Sequence, residues 1–292
     1  MFTVEATEEM LLECPKSVAG MFTLSPFVWR EGSEYLAMFR IVPDRKIAAE
    51  KIARVHLARS TDGLNFRVDA DPVIAPGPAT DDIDGCEDPT VVKVDGRYFV
   101  YYTGWNEAQK VGRLLLADGT ALDRLTKRGV ALASMEDQLN PKEATLVLAA
   151  DGRWRLFYEY AADDASRIGV ASADSADGPW LIEKPPFARR DGQWDRWHLS
   201  TGPILEDAER PVMFYNGATQ DAHWRIGWIA FSPDFREVVG RGEEPLIIPE
   251  IDAATDWTDI AFAASCVTVG DEVWLYYSVA DRALMRATLR RT

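Results

Sequence analysis

The chain has 292 residues, of which 47% are hydrophobic and 11% aromatic, so it can bury a substantial core and does not read as disordered. Its formal net charge of −15 argues against nucleic acid and against anionic membrane surfaces as partners. No apolar run approaches about 18 residues, and the N-terminus has neither a basic nor an apolar segment, so we expect no membrane span and no secretory signal.

One pattern of predicted elements occurs five times along the chain. Each copy has a first strand that opens on polar residues and often proline, then a turn, an aromatic-rich strand and a third strand. The turns lie near positions 32, 96, 152, 209 and 271, which are 64, 56, 57 and 62 residues apart. Repeats of this kind with Gly-rich turns are typical of propellers. We therefore predict an all-β fold, a five-bladed β-propeller that forms a single domain over residues 1–292.

The predicted blades cover roughly residues 20–75, 84–135, 140–190, 197–250 and 256–292. The fifth copy ends one strand short, so we expect the N-terminal residues to complete it. In a propeller the first strand of each blade lines the central channel. The residues that open the copies should therefore surround one axis: Ser25, Glu87 and Asp88, Lys142 and Glu143, His198 to Thr201, and Asp259. Half-buried charges are costly unless they are paired or used, which favours a functional site over a merely solvated channel.

The second copy holds the most distinctive stretch, a strand from Gly85, an Asp95-Gly96 hairpin turn and a second strand to Tyr102. Glu87 and Asp88 are adjacent in its first strand. Because consecutive side chains on a strand point to opposite faces, only one of this pair can face a given cavity. The arrangement suits a rigidly held acid, and it is also compatible with a simple polar strand start.

These motifs resemble those of glycoside hydrolase family 130, the β-mannoside phosphorylases and hydrolases with a five-bladed β-propeller. The family's Gly-x-Glu-Asp-Pro-Arg motif stands here as Gly85-Cys86-Glu87-Asp88-Pro89-Thr90. The resemblance implies that Asp88 is the general acid, passing its proton to the leaving oxygen through a sugar hydroxyl. The final Arg of the motif is replaced by Thr90.

Two further motifs of the family have counterparts that imply contacts with the sugar. Its Asn-Pro on the first inner strand is Ser25-Pro26 here, and the sugar-contacting Arg that follows is Arg40. Its late Tyr-Tyr-Gly-Ala-x-Asp motif appears as residues 276–281, so Asp281 resembles the carboxylate that binds sugar hydroxyls.

The counterparts of the family's phosphate ligands are mixed. Lys142 keeps a basic residue, and His198 aligns with another basic position. Glu159, however, stands where a His-Arg-Pro motif carries an Arg, and a carboxylate repels a phosphate dianion. We therefore expect hydrolysis in preference to phosphorolysis.

An inverting glycosidase needs an acid and a base whose carboxyl groups are roughly 6.5–9.5 Å apart. We expect Asp88 to be the acid and Glu143 the base, with Glu159 and Glu87 as further candidates for the base. An ion pair of Glu143 with Lys142 or Arg40 that only orders the channel is the competing interpretation. The expected substrate-binding residues are Ser25, Arg40, Glu87, Trp105, Lys142, Glu159, His198, Asp259 and Asp281.

Two other functions stay open on the sequence: phosphorolysis of the same bond, and a sugar-binding propeller without catalysis. We expect an oligosaccharide as the partner, and a homo-oligomer stays open. The three histidines include no pair at metal spacing, so we expect no metal site and no cofactor, with inorganic phosphate as co-substrate only for a phosphorylase. Three cysteines without close spacing favour reduced thiols, and so a cytoplasmic protein.

Overall fold

The computed structural model describes residues 2–47, 50–206, 209–251 and 258–291. These ranges contain β-strands, one 3-10 helix (Thr80–Asp82) and no α-helix, so the predicted all-β class is confirmed. None of their helices is long and apolar enough to span a membrane.

The strands of the first half of the chain are β1 (Phe2–Glu9), β2 (Leu11–Glu13), β3 (Phe22–Glu31), β4 (Glu34–Val42), β5 (Arg54–Ser60), β6 (Asn65–Ile74), β7 (Gly85–Val94), β8 (Arg97–Asn106), β9 (Val111–Gly119), β10 (Thr126–Leu132), β11 (Leu139–Leu148) and β12 (Trp154–Ala162). Those of the second half are β13 (Ala165–Ala173), β14 (Leu181–Glu183), β15 (His198–Ser200), β16 (Ile204–Leu205), β17 (Val212–Met213), β18 (Asn216–Ala218), β19 (Trp224–Ile226), β20 (Ile229–Phe231), β21 (Val238–Arg241), β22 (Ala261–Val269), β23 (Glu272–Val279) and β24 (Ala283–Arg291).

Four of the predicted copies are single antiparallel sheets, built from β3 to β6, β7 to β10, β11 to β14 and β22 to β24. The fourth copy is divided into two sheets, β15-β18-β19 and β16-β17-β20-β21. Backbone hydrogen bonds continue across the division, from Phe214 N–H to Pro203 O (2.9 Å) and from Gly227 N–H to Tyr215 O (2.9 Å). We therefore count the two sheets as one interrupted blade.

The hydrophobic core of the described residues forms five separate clusters, each between two blades that are adjacent in the ring. Representative members, in blade order from the junction of blades one and two, are Met38 and Tyr102, Tyr101 and Tyr158, Phe157 and Met213, Phe214 and Leu275, and Phe39 and Tyr276. The last cluster joins the fifth blade to the first, so the ring closes. Five junctions in a closed ring correspond to the five predicted blades.

The N-terminal strand β1 lies at the edge of the sheet formed by β22 to β24. β1 pairs with β24 in antiparallel register from Phe2↔Arg291 to Glu9↔Met285. Phe2 is buried with its ring 5.1 Å from that of Phe214 in the fourth blade. β2 then pairs in parallel with β6 of the first blade, so residues 2–13 connect the two ends of the ring. Residues 256 and 257, where the predicted fifth blade begins, lie outside the described ranges.

A β-bulge interrupts the first strand of each of blades one, two, three and five. The register shifts fall between Leu24 and Phe27, Glu87 and Thr90, Lys142 and Thr145, and Ala263 and Ser265. Within the first three bulges Ser25, Asp88 and Glu143 have φ values of 50°, 48° and 50°. Residues other than glycine rarely adopt this left-handed backbone conformation. Bulges are common next to active sites, where they change the direction of a side chain.

Candidate active site

A cavity of about 200 Å³ lies where the bulged strands of the blades converge. It is lined by Leu24, Ser25, Arg40, Asp88, Lys142, Glu143, Glu159, Ser166, Trp224, Ile260, Phe262, Ser278 and Asp281. A second cavity of about 400 Å³ shares Leu24, Arg40 and Asp281 with it. The two cavities therefore adjoin, and the smaller one contains the carboxyl groups of Asp88 and Glu143.

Asp88 is buried and held as a carboxylate. The Ser25 hydroxyl donates a 2.5 Å hydrogen bond to its Oδ1, and the Arg40 guanidinium lies 3.4 Å from the same oxygen. Burial by itself would raise the pKa of Asp88, but Arg40 and the hydrogen bond from Ser25 outweigh it and hold the pKa below its usual value. In the free protein Asp88 is therefore ionised.

Glu143 has the opposite electrostatic environment. Burial, together with the negative charge of Asp88, raises the pKa of Glu143 well above its usual value. A side-chain hydrogen bond from Glu143 in turn stabilises the Asp88 carboxylate. The two groups form a dyad in which Glu143 carries the proton in the free protein.

Lys142 and Glu159 form an ion pair, with Lys142 Nζ 3.3 Å from Glu159 Oε1. The Glu159 carboxylate raises the pKa of Lys142, which stays charged. The Ser166 hydroxyl donates a 2.7 Å hydrogen bond to the same oxygen of Glu159. Glu159 is almost fully buried, whereas the Lys142 side chain is 43% exposed and open to a ligand.

Arg40 bridges the two acidic residues of the second blade. Its Nη2 lies 2.8 Å from Glu87 Oε1, while its Nη1 faces Asp88. Burial raises the pKa of Glu87, and the positive charge of Arg40 opposes that rise. The buried Nε of Arg40 has no hydrogen-bond partner among the described residues.

Four of the expected substrate-binding residues do not line the 200 Å³ cavity: Glu87, which pairs with Arg40 (2.8 Å), and Trp105, Asp259 and His198. Trp105 donates its indole N–H to Glu107 (2.9 Å) at the end of β8. Asp259 is ion-paired with Arg225 (2.7 Å). His198 accepts a 3.1 Å hydrogen bond from the Ser166 backbone N–H at Nδ1, and burial lowers the pKa of its ring. His198 therefore lies behind Ser166 and supports it.

The cavity also contains apolar and hydroxyl side chains that the sequence reasoning missed. Trp224 and Phe262 pack edge to face with ring centroids 5.3 Å apart, and Ile260 lies beside them. Strand alternation places residues 260 and 262 on one face and residue 259 on the other. This alternation could have indicated that Ile260 and Phe262 line the cavity, whereas the charge of Asp259 favoured Asp259. Trp224 begins β19, a third strand, where no channel-lining residue was expected.

The arrangement combines a buried carboxyl dyad with two cations and an aromatic wall. Enzymes that use acid–base catalysis often contain two carboxyl groups whose environments separate their pKa values. Aromatic side chains can pack against the apolar faces of sugar rings. No three His, Cys, Asp or Glu side chains in the described part of the chain are grouped so that they could hold a metal ion. The site thus has the character of a glycoside-processing propeller.

Comparison with known proteins identifies the family. The family model for glycoside hydrolase 130, described as β-1,4-mannooligosaccharide phosphorylase, matches residues 27–291. This chain belongs to glycoside hydrolase family 130, as its motifs predicted. A 1,2-β-oligomannan phosphorylase of Thermoanaerobacter sp. (strain X514) is 26% identical over 243 residues, which are 82% of this chain and 79% of the relative.

Solved structures agree on the fold. A β-1,2-mannobiose phosphorylase from Listeria innocua in complex with β-1,2-mannobiose superposes with a TM-score of 0.78 at 17% identity, covering 98% of this chain and 91% of that chain. Another matches with a TM-score of 0.76 at 22% identity, covering 92% and 84%; it is described as showing that the family of mannoside phosphorylases contains glycoside hydrolases that target β-1,2 mannosidic linkages in Candida mannan. At these identities the likeness establishes the propeller fold alone.

Proposed function

We propose that this protein cleaves the β-mannosidic bond of a mannooligosaccharide with inorganic phosphate, by an inverting phosphorolysis. The observation that carries the proposal is the arrangement of the cavity, in which the Asp88 carboxylate is held by Ser25 and Arg40 and lies with Glu143 and the partly exposed cation of Lys142. Burial and the negative charge of Asp88 raise the pKa of Glu143, which favours its protonated form. A protonated Glu143 is no base for a water molecule, and phosphorolysis requires none because phosphate is itself the nucleophile. The phosphorylase names of the relatives from Thermoanaerobacter and Listeria support the same reaction.

In the proposed step an oxygen of phosphate forms a bond to the anomeric carbon while the bond to the leaving sugar breaks. The leaving oxygen takes a proton that Asp88 supplies through a sugar hydroxyl. Asp88 is ionised in the free protein, but a phosphate dianion adds negative charge beside the dyad and raises the pKa of Asp88. Glu143 is positioned to pass its proton to Asp88, so Asp88 becomes protonated when phosphate enters.

Lys142 and Ser166 are the side chains we assign to phosphate, because both line the cavity and Lys142 is partly open to solvent. Glu159 shares both of them, through its 3.3 Å contact with Lys142 and its hydrogen bond from Ser166. Phosphate therefore has to compete with a resident carboxylate. Arg40, with its unpartnered Nε, and Asp281 are assigned to the hydroxyl groups of the mannose.

Hydrolysis is the second candidate, and the Lys142–Glu159 ion pair is the observation that favours it. Glu159 places a negative charge beside the cation that phosphate would use, and as a carboxylate it is the better base for water than Glu143. The sequence alone favoured this reaction. It now has less support than phosphorolysis, because the curated relatives are named phosphorylases.

The test is incubation with β-1,2- and β-1,4-mannobiose, with and without phosphate, with products separated by chromatography. We expect mannose 1-phosphate to form only with phosphate, and Asp88→Asn to lower its formation by about a thousandfold or more. Free mannose at an equal rate without phosphate would establish hydrolysis instead. Binding of either disaccharide without turnover would indicate a sugar-binding propeller and overturn both reactions.

A further inference from the structure

Hydroxyl side chains that border the bulges form hydrogen bonds between neighbouring blades. Thr90 Oγ1 donates to Ala144 O (2.5 Å), Thr145 Oγ1 to Gly202 O (3.0 Å) and Ser265 Oγ to Pro26 O (2.6 Å). In each case a hydroxyl from the first strand of one blade reaches a peptide carbonyl of the next blade, in its first strand or, for Gly202, in the segment between β15 and β16. We call these three residues the hydroxyl belt.

The bulge that carries Glu143 is held from both sides. Thr90, from the second blade, donates to the carbonyl of Ala144, and Thr201, from the fourth blade, donates to the carbonyl of Glu143 itself. Thr90, Ala144 and Thr201 are all buried, so no water can replace a lost donor without rearrangement. The two contacts fix the two successive peptide planes that follow Glu143, the residue whose φ is 50°.

We propose that Thr90 is a positioning residue for the dyad: its hydroxyl holds the Glu143 bulge in the conformation that directs the Glu143 side chain at Asp88. The proposal rests on the proposed function for its catalytic consequence. Thr90 does not line the cavity and contacts no reacting atom, so it acts only through the backbone of the third blade. It is also the residue by which this chain departs from the Gly-x-Glu-Asp-Pro-Arg motif.

The first test compares Thr90→Val, which keeps the branched shape and removes the hydroxyl, with Thr90→Ser, which keeps the hydroxyl. Thr145→Val is the matched control. It also removes a hydrogen bond of the hydroxyl belt, but the acceptor of that bond is the carbonyl of Gly202 and not a carbonyl of the bulge that carries Glu143. We expect Thr90→Val to lower kcat about tenfold with KM changed less than about twofold, because a small displacement of a reacting group strongly lowers the rate of the chemical step. Thr90→Ser and Thr145→Val should keep kcat within about twofold of the wild type.

The second test needs no turnover. The carboxyl of Glu143 is titrated by NMR with selective ¹³C labelling in the wild type, in Thr90→Val and in Thr145→Val. We expect the pKa of Glu143 to fall towards its usual value in Thr90→Val alone, because the side chain moves away from Asp88 and towards water. An unchanged titration in Thr90→Val, or an equal change in Thr145→Val, overturns the proposal. If the wild type cleaves no mannoside, the proposed function fails and the titration alone decides the role of Thr90.

Discussion

The Ser25 hydroxyl and the Asp88 carboxylate form a 2.5 Å hydrogen bond across the junction of the first and second blades. Both residues occupy bulges with a positive φ, so two unusual backbone conformations bring together two side chains that are 63 positions apart. The bond stabilises the ionised form of Asp88 and contributes to its lowered pKa. Ser25 therefore controls how readily the proposed acid takes up a proton.

Ser25→Ala should raise the pKa of Asp88, because burial raises that pKa and the substitution removes one of the contacts that lower it. Because the proposed reaction needs protonated Asp88, the alkaline limb of the pH–rate profile should move upward by about one unit, as a charge-assisted hydrogen bond is lost. Ser278→Ala, which truncates another cavity serine, is the matched control and should leave that limb in place. If the alkaline limb of the pH–rate profile does not move in Ser25→Ala, the hydrogen bond from Ser25 does not determine the pKa of Asp88.

Glu159→Gln tests which nucleophile the site uses. The change removes the negative charge that shares Lys142 and Ser166, and it keeps the shape of the side chain. Under the phosphorolysis proposal the KM for phosphate should fall about tenfold, because one repulsive charge near the dianion is gone. Initial rates at varied phosphate measure it, with Glu107→Gln as a control outside the cavity. Loss of turnover with unchanged phosphate dependence would instead identify Glu159 as a base for water.

The raised pKa of Glu143 makes stability depend on pH with a definite sign. The folded protein keeps a proton that the unfolded chain has already lost, so the free energy of unfolding falls as pH rises from the usual glutamate pKa towards the raised one. The slope from this group reaches about 1.4 kcal/mol per pH unit at most. Glu143→Gln should remove that fall, measured by urea unfolding between about pH 5 and 8.

Asp88→Asn is the control of opposite sign when the urea unfolding is extended to below about pH 4. The lowered pKa of Asp88 adds stability that is present above the usual aspartate pKa, about 4, and is lost as pH falls below it. Parallel pH profiles for the wild type and Glu143→Gln would contradict the assignment of the proton to Glu143.

The closure of the ring by β1 predicts a large effect of one residue at the terminus. Phe2 is 6% exposed and packs against Phe214, so Phe2→Ala should lower the free energy of unfolding by about 3 kcal/mol through the cavity it leaves. Urea unfolding measures the loss, and Val4→Ala, at an exposed position of the same strand, should cost less than about 1 kcal/mol. Equal effects at both positions would mean that β1 does not depend on its buried face.

Much of the fold was predictable because its signals are local. The turns at Gly32, Gly96, Gly152 and Gly270 need positive φ values that glycine adopts readily, and each has one. Together with alternating strands they indicated the repeat and the all-β fold. The fourth blade is the exception, because the sequence does not show where a strand will break into two.

The sequence by itself determined the family, the repeat and the residue types available to the site, since these depend on composition and on patterns a few residues long. Only the tertiary structure decided that Ser25, Asp88 and Glu143 enter one cavity through bulges, that Glu159 pairs with Lys142, and that His198 and Asp259 bind other partners. Those outcomes depend on contacts between residues that lie from 17 to 63 positions apart in sequence, which local patterns cannot show. The protonation of the dyad follows from the same convergence, because the energy of a buried charge is set by its neighbours in space.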